Sequence, residues 1–228
     1  MKKYAIIWDF DGTILPPEPY DSEQFLLLHK LQQSREEISF FIYAIARAII
    51  YADMKERLRR TFKKLYLSLL MGTHIEMLDY VAKLLAKKIS EPDRQTLLRL
   101  KESGHTMMIV SCGTVDLSER VLKIKGLDTC FSMIKGNRFQ VENDKIIGMD
   151  FHIPNPEDKL KLINAQDIRP EDSIAIGDGY TDRPLLNWAG LPVLIDRGGK
   201  KSARYANKGY HVIFSLSEIV EMIEKRIV

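Results

Sequence analysis

The chain has little cysteine. Cys112 and Cys130 are the only two in 228 residues, too few for a secreted disulfide scaffold, so a reducing cytoplasmic setting is expected. It lacks a long apolar run. After Met1, Lys2 and Lys3 only five apolar residues precede Asp9, too few for the apolar region of a signal peptide. The longest apolar stretch, Ile38 to Ala52, is interrupted by Arg47. It falls short of the roughly 18–20 residues needed to span a bilayer, so a buried helix is expected there, with contact to a membrane surface as the alternative. There is no excess of one charge. Lys and Arg number 34 and Asp and Glu 31, a net of +3, unlike the basic footprint of a nucleic-acid binder. No internal repeat or low-complexity tract is present, and 45% hydrophobic content excludes a disordered chain.

The texture changes along the chain. A short apolar run, Lys3–Trp8, ends in Asp9. No proline falls between Pro19 and Pro92, and residues 19–89 read as helical. From about residue 93, helices alternate with apolar runs at 106–110, 130–134, 173–177, 191–195 and 210–214. Such alternation predicts an α/β fold whose parallel sheet is covered on both faces. Thr73 and Glu76 have capping-box spacing before a helix, Pro92 and Gly104 bracket a second, and Asn155-Pro156 opens a third. Thr181 is expected to open a fourth, closed by Gly190. Residues 138–151 read as a hairpin turning at Asn143-Asp144. The division expected is a catalytic core of residues 1–15 and 91–228, with an all-helical cap of residues 16–90 inserted after the first strand. In open α/β sheets ligands bind beyond the strands' carboxyl ends, where such a cap would sit.

Four segments at those ends carry chemistry. The first strand ends in Asp9-Phe10-Asp11-Gly12-Thr13. Two carboxylates that close repel unless a cation intervenes or one is protonated, although Asp-x-Asp alone also suits an Asx turn. The run 106–110 ends in Ser111-Cys112-Gly113-Thr114, a hydroxyl and backbone N–H groups at a strand-to-helix turn, which suits an anion. Lys159 lies in the first turn of a helix, against the helix dipole; an anionic partner accounts for that, and so does plain solvation, as for Lys161. The run 173–177 ends in Gly177-Asp178-Gly179-Tyr180-Thr181-Asp182, which lacks the third glycine of a dinucleotide site.

In this order the four motifs resemble the haloacid dehalogenase superfamily of phosphohydrolases. The helical insert, the hairpin before the lysine and the tail Lys201–Tyr210 resemble its phosphoserine-phosphatase-like branch. The resemblance implies a Rossmann-like three-layer core with a helical type-1 cap and hydrolysis of a small phosphate ester with Mg²⁺ through an aspartyl-phosphate. It implies Asp9 as nucleophile and Asp11 as general acid and base. Asp9, the Asp11 carbonyl and Asp178 would bind the metal, with Asp182 supporting the metal or Lys159. Ser111, Cys112, Gly113 and Lys159 would hold the phosphoryl oxygens. The presence of Asp11 implies phosphatase rather than dehalogenase chemistry. Ser-Cys-Gly stands where the phosphoserine enzymes usually carry Ser-Gly-Gly, and Tyr180-Thr181 where they carry Ala-Asn.

Glu18 stands nine residues after Asp9, where the phosphoserine enzymes carry a ligand for the substrate amine, so the resemblance implies a contact to an ammonium group; it reads equally as a first-turn helix acid. The basic stretch 53–64 places Met54, Leu58, Phe62, Leu65 and Leu69 on an apolar stripe. Arg57, Arg60 and Lys64 then form another face, which reads as a solvated one; the resemblance to the phosphoserine enzymes implies instead that an arginine, Arg57 or Arg60, reaches a substrate carboxylate. Cys112 reads as a packing residue or a reactive thiol, and His105 and His152 have no metal-ligand spacing. The expected partner is a small-molecule phosphate ester, with no nucleic acid, no membrane span, and monomer or homodimer both open. Two alternatives remain: a phosphatase of a phospholipid or other amphiphile, and a non-catalytic module binding an acidic partner through the basic cap face.

Overall fold

A computed structural model describes residues 2–36, 38–55, 58–199, 205 and 208–227. Among the described residues, seven strands form one sheet in the order β4-β3-β2-β1-β5-β6-β7. They are β1 (Ala5–Trp8), β2 (Thr106–Thr114), β3 (Met133–Glu142), β4 (Lys145–Asp150), β5 (Ser173–Gly177), β6 (Leu191–Ile195) and β7 (His211–Ile213). All neighbours pair parallel except β3 and β4. The expected α/β core is present, with each apolar run at or overlapping a strand.

The sheet is a middle layer because successive side chains on a strand point to opposite faces. Ile6, Trp8, Met107, Ile109, Ile174 and Ile176 belong to one buried cluster. Ile7, Met108, Val110 and Ala175, the residues between them, belong to another. Helices α5 (Glu91–Glu102), α6 (Val115–Lys125) and α9 (Ser217–Ile227) cover the first face, and α7 (Pro156–Asn164) and α8 (Arg183–Trp188) the second.

Between β1 and α5 the described elements are four helices: α1 (Ser22–Gln33), α2 (Phe40–Asp53), α3 (Arg59–Leu70) and α4 (Glu76–Ala86). Their inner faces join the core rather than closing on themselves. Leu26, Phe62, Leu78 and Val81 share a cluster with Ile6 and Trp8, and α4 packs against α6. A ladder of rings reinforces the junction: Phe62 stacks on Tyr66 at 5.8 Å, and Tyr66 on Phe139 of β3 at 5.8 Å.

Several local expectations hold. Asn143 and Asp144 turn the β3–β4 hairpin with φ of 48° and 59°, the left-handed pair a two-residue turn requires. Pro92 lies at the start of α5 and Gly104 just past its end, and Asn155 is the N-cap of α7. Others do not. The Thr73–Glu76 capping box is absent: α4 starts after Ile75 with no side-chain cap. Its approach is instead bonded to the hairpin backbone, through Gly72 N to Ile146 O, Ile146 N to Thr73 O and Ile75 N to Asp144 O, at 2.8–3.0 Å. Thr181 lies in a 3₁₀ turn, Tyr180–Asp182, and α8 begins at Arg183. Helix α2 is not a buried helix. Only Ala46, Ile50 and Asp53 are buried, and Phe40, Phe41 and Tyr51 face outward. Its neighbours α1 and α3 cover one side of it, and nothing described covers the other.

Phe62 is fully buried at the start of the ring ladder. Phe62→Ala should lower unfolding free energy by about 3–5 kcal/mol, read as a drop in the urea midpoint. A loss below about 1 kcal/mol would mean the ladder does not couple α3 to the sheet.

Candidate active site

Strands β1, β2 and β5 are adjacent and parallel, so their carboxyl ends lie side by side. Asp9 follows β1 with its N–H bonded to Ile176 O of β5 at 2.9 Å. The chain then turns tightly, with Thr13 N and Leu15 N both donating to Phe10 O. Gly12 makes the turn possible at φ +85°, and a Cβ there would fall 2.2 Å from Asp178 Oδ2. Gly177 and Gly113 leave comparable room. A Cβ at Gly177 would lie 2.3 Å from the Asp182 Cβ, and one at Gly113 2.9 Å from Asp11 Oδ2.

Lys159 is fully buried, so the solvated-lysine reading does not hold. Its Nζ donates to Asp9 Oδ1 at 2.7 Å and Asp182 Oδ1 at 2.6 Å. Burial alone would lower its pKa, but the charges of Asp182 and Asp9 hold it well above the lysine range. The other oxygen of Asp182 accepts from Asp178 N at 2.9 Å and Gly179 N at 3.2 Å. One carboxylate oxygen each of Asp9, Asp178 and Asp182 lie within 4.8 Å of one another. Burial pushes Asp9 up to about 8; Asp182 and Asp178 add to the shift and Lys159 opposes it. Hard oxygen donors gathered this closely suit a divalent cation such as Mg²⁺.

Asp11 diverges from Asp9. Its carboxylate accepts from Ser22 N and Ser22 Oγ, both at 2.8 Å, at the start of α1. Burial raises its pKa, with the Ser22 bonds pulling the other way. Ser111 is buried, and its Oγ accepts from Gly113 N at 3.1 Å. Asn137 Nδ2 and Lys63 Nζ both donate to Cys112 O at 2.9 Å, fixing this last part of β2, which continues as strand to Thr114 where a strand-to-helix turn was expected. Cys112 itself is buried, which raises its thiol pKa; that favours the packing reading over a reactive thiolate. His105 is a packing residue, its Nδ1 accepting from Tyr4 N.

These groups line a cleft of about 1180 Å³ between the strand ends and α1–α3. Asp9, Asp11, Ser111, Cys112, Gly113 and Asp178 face it, as do Glu18 and Arg60 from the helical side. Lys159 and Asp182 are not among its lining residues. Arg57 and most of the tail Lys201–Tyr210 lie outside the described residues.

The helical side also carries residues the sequence reading missed. Glu23, fully buried, pairs with Arg59 at 2.8 Å and with Lys63, and accepts from Thr114 Oγ1 at 2.6 Å. Burial would raise the Glu23 pKa, but Lys63 and Arg59 hold it below the usual value. Arg59 also reaches Asp53 at 2.9 Å. The inward face of α3 is thus Arg59, Phe62, Lys63, Tyr66 and Leu70. Leu58 and Met54 are exposed, correcting the expected stripe. Residues 53–69 are not one helix: α2 ends at Asp53 and Leu58 turns left-handed at φ 58°, which resets the phase. The spacing of Asp21 and Gln24 was a usable signal for α1, since the two form a capping box there.

The model for haloacid dehalogenase-like hydrolases matches residues 6–187. A phosphoserine phosphatase of Archaeoglobus fulgidus is 27% identical over 84% of this chain, which spans only 52% of that protein. The phosphoserine phosphatase of Methanocaldococcus jannaschii is 26% identical over 84% of this chain and 85% of its own length. A substrate-bound phosphoserine phosphatase structure superposes with a TM-score of 0.73 at 20% identity, covering 97% of this chain and 99% of that one.

Two outcomes test the site's architecture. Millimolar Mg²⁺ should raise the melting temperature by several degrees, about 2–3 kcal/mol at saturation, and Asp178→Asn should abolish most of that rise. Gly12→Ala should cut turnover at least about 100-fold by displacing Asp178, while the circular dichroism spectrum stays that of the parent.

Proposed function

The chain belongs to the haloacid dehalogenase-like hydrolases, and from that premise we propose that it is a Mg²⁺-dependent phosphomonoesterase acting through an aspartyl-phosphate. Residues 16–90 serve as a specificity cap over a core of residues 1–15 and 91–228. The observation that carries this reading is the convergence of Asp9, Asp178, Asp182, Lys159 and the Ser111–Gly113 end of β2 at adjoining strand ends.

Asp9, Asp178 and the Asp11 carbonyl would hold Mg²⁺, with Asp182 in support. The ion would offset the negative charge that otherwise repels a phosphate dianion from a carboxylate. Ser111 Oγ, the Cys112 and Gly113 N–H groups and Lys159 then hold the phosphoryl oxygens, where transition-state charge develops. An Asp9 oxygen attacks phosphorus and the bond to the leaving alkoxide breaks. Asp11 gives its proton to that alkoxide, in keeping with the upward shift that burial imposes. Water next attacks phosphorus, Asp11 takes the water's proton, and inorganic phosphate leaves Asp9.

The substrate proposed is a small phosphorylated metabolite of the phosphoserine kind, supported by the curated relatives. Glu18 and Arg60 line the cleft and are the proposed contacts for ammonium and carboxylate. Arg57 has the same proposed role.

Asp9→Asn should reduce Mg²⁺-dependent release of phosphate from an aryl phosphate at least about 10³-fold. Wild-type turnover in that variant would overturn the mechanism. A screen of phosphorylated metabolites should find phosphoserine among the best substrates, with Glu18→Gln raising its KM more than it lowers kcat. Equal turnover of phosphoserine and of an amine-free phosphate ester would remove the amino-acid reading and leave the chemistry standing.

A further inference from the structure

Helix α2 departs from the burial pattern of the other helices. Between Phe40 and Ala52 its one charged residue is Arg47, so apolar side chains run all round it. A helix of that composition is ordinarily enclosed. Here Phe40 is 83%, Phe41 73% and Tyr51 63% exposed, and Ala44, Ile45 and Ala48 are exposed with them. At about 100° per residue these six share one side of the helix. Scattered exposed apolar residues need no explanation, whereas a contiguous patch marks an interaction surface.

The charge around the patch indicates what covers it. Arg35 lies 5.4 Å from the Tyr43 ring and Lys55 5.6 Å from the Tyr51 ring, at opposite ends of the helix. Arg47 is on the helix itself. All three are exposed, against Glu36 as the exposed acid among the described residues 35–55. A second copy meets this face poorly, because an antiparallel pair of α2 helices would bring one Arg47 near the other. A surface both anionic and apolar just beneath satisfies both features.

We propose that α2 docks on an anionic lipid bilayer. Phe40, Phe41 and Tyr51 enter the boundary between headgroups and acyl chains, and Arg35, Arg47 and Lys55 meet lipid phosphates. The helix lies in the interface and does not cross it; no helix among the described residues is long and apolar enough to cross a membrane. Asp53, Met54 and Lys55, at and just beyond the end of α2, line the cleft, so docking sets the mouth of the site close to the membrane. This surface is independent of the phosphatase reading, and a protein without turnover could still bind.

The test is co-sedimentation of the full chain with vesicles of phosphatidylcholine, alone or with about 30 mol% phosphatidylserine. Binding to the anionic vesicles should exceed that to neutral ones at least about tenfold and should weaken as salt rises. Phe40→Ser/Phe41→Ser should abolish it with an unchanged melting temperature, since both side chains face outward. Failure to bind anionic vesicles, or undiminished binding by the double variant, overturns the proposal. So does a concentration-dependent dimer in sedimentation that the double variant dissolves, which would give the face to a second copy.

Discussion

The structure turns on one electrostatic problem, the meeting of carboxylates from separate strand ends in a buried space. Asp9, Asp178 and Asp182 come within a few ångströms, where like charges repel strongly because little water screens them. Lys159 answers part of the problem. Its helix delivers a fully buried ammonium between Asp9 and Asp182, and the backbone N–H groups of Asp178 and Gly179 answer another part. The three carboxylates together form a place for a cation. The parallel sheet aligns the strand ends, and glycine at 12 and 177 removes the Cβ atoms that would keep the carboxylates apart.

This centre was legible in the sequence because it is local. Each acid follows an apolar run, each glycine lies within a few residues of it, and a parallel sheet adds only the side-by-side placement. Lys159 was legible as a misfit, a lysine in a first turn, although not as a buried one. The Asn143-Asp144 turn was legible for the same local reason. The helical segment was not. Its phase depends on the left-handed Leu58, which no residue type announces, so Arg59 and Lys63 were passed over for Arg57 and Arg60. Thr73 and Glu76 had the spacing of a cap, but the hairpin backbone, far off in sequence, took over that role. Helix α2 was misjudged because composition reports how apolar a segment is and not whether the fold has enough surface to cover it.

The two halves of the cleft obey different electrostatic rules. The core wall gathers carboxylates. The wall formed by the inserted helices pairs part of its charge internally, Arg59 and Lys63 with Glu23 and Asp53, and presents Glu18, Arg60 and Lys64 to the cleft. A ligand entering the cleft therefore meets clustered acids on one side and a mixture of paired and exposed charge on the other.

That internal pairing bears on how the cleft could open. Glu23, Arg59, Lys63 and Asp53 all belong to the inserted helices, so a hinged movement would lift them as one unit and strand no buried charge. The polar ties lost near the cleft would be the Ser22 bonds to Asp11, the Thr114 bonds to Glu23 and Tyr66, and the Lys63 bond to Cys112 O. Each of those groups can turn to water instead. The inserted helices carry their own counter-ions, so what such a movement would have to part is their apolar packing on the core, the stacking of Tyr66 on Phe139 within it.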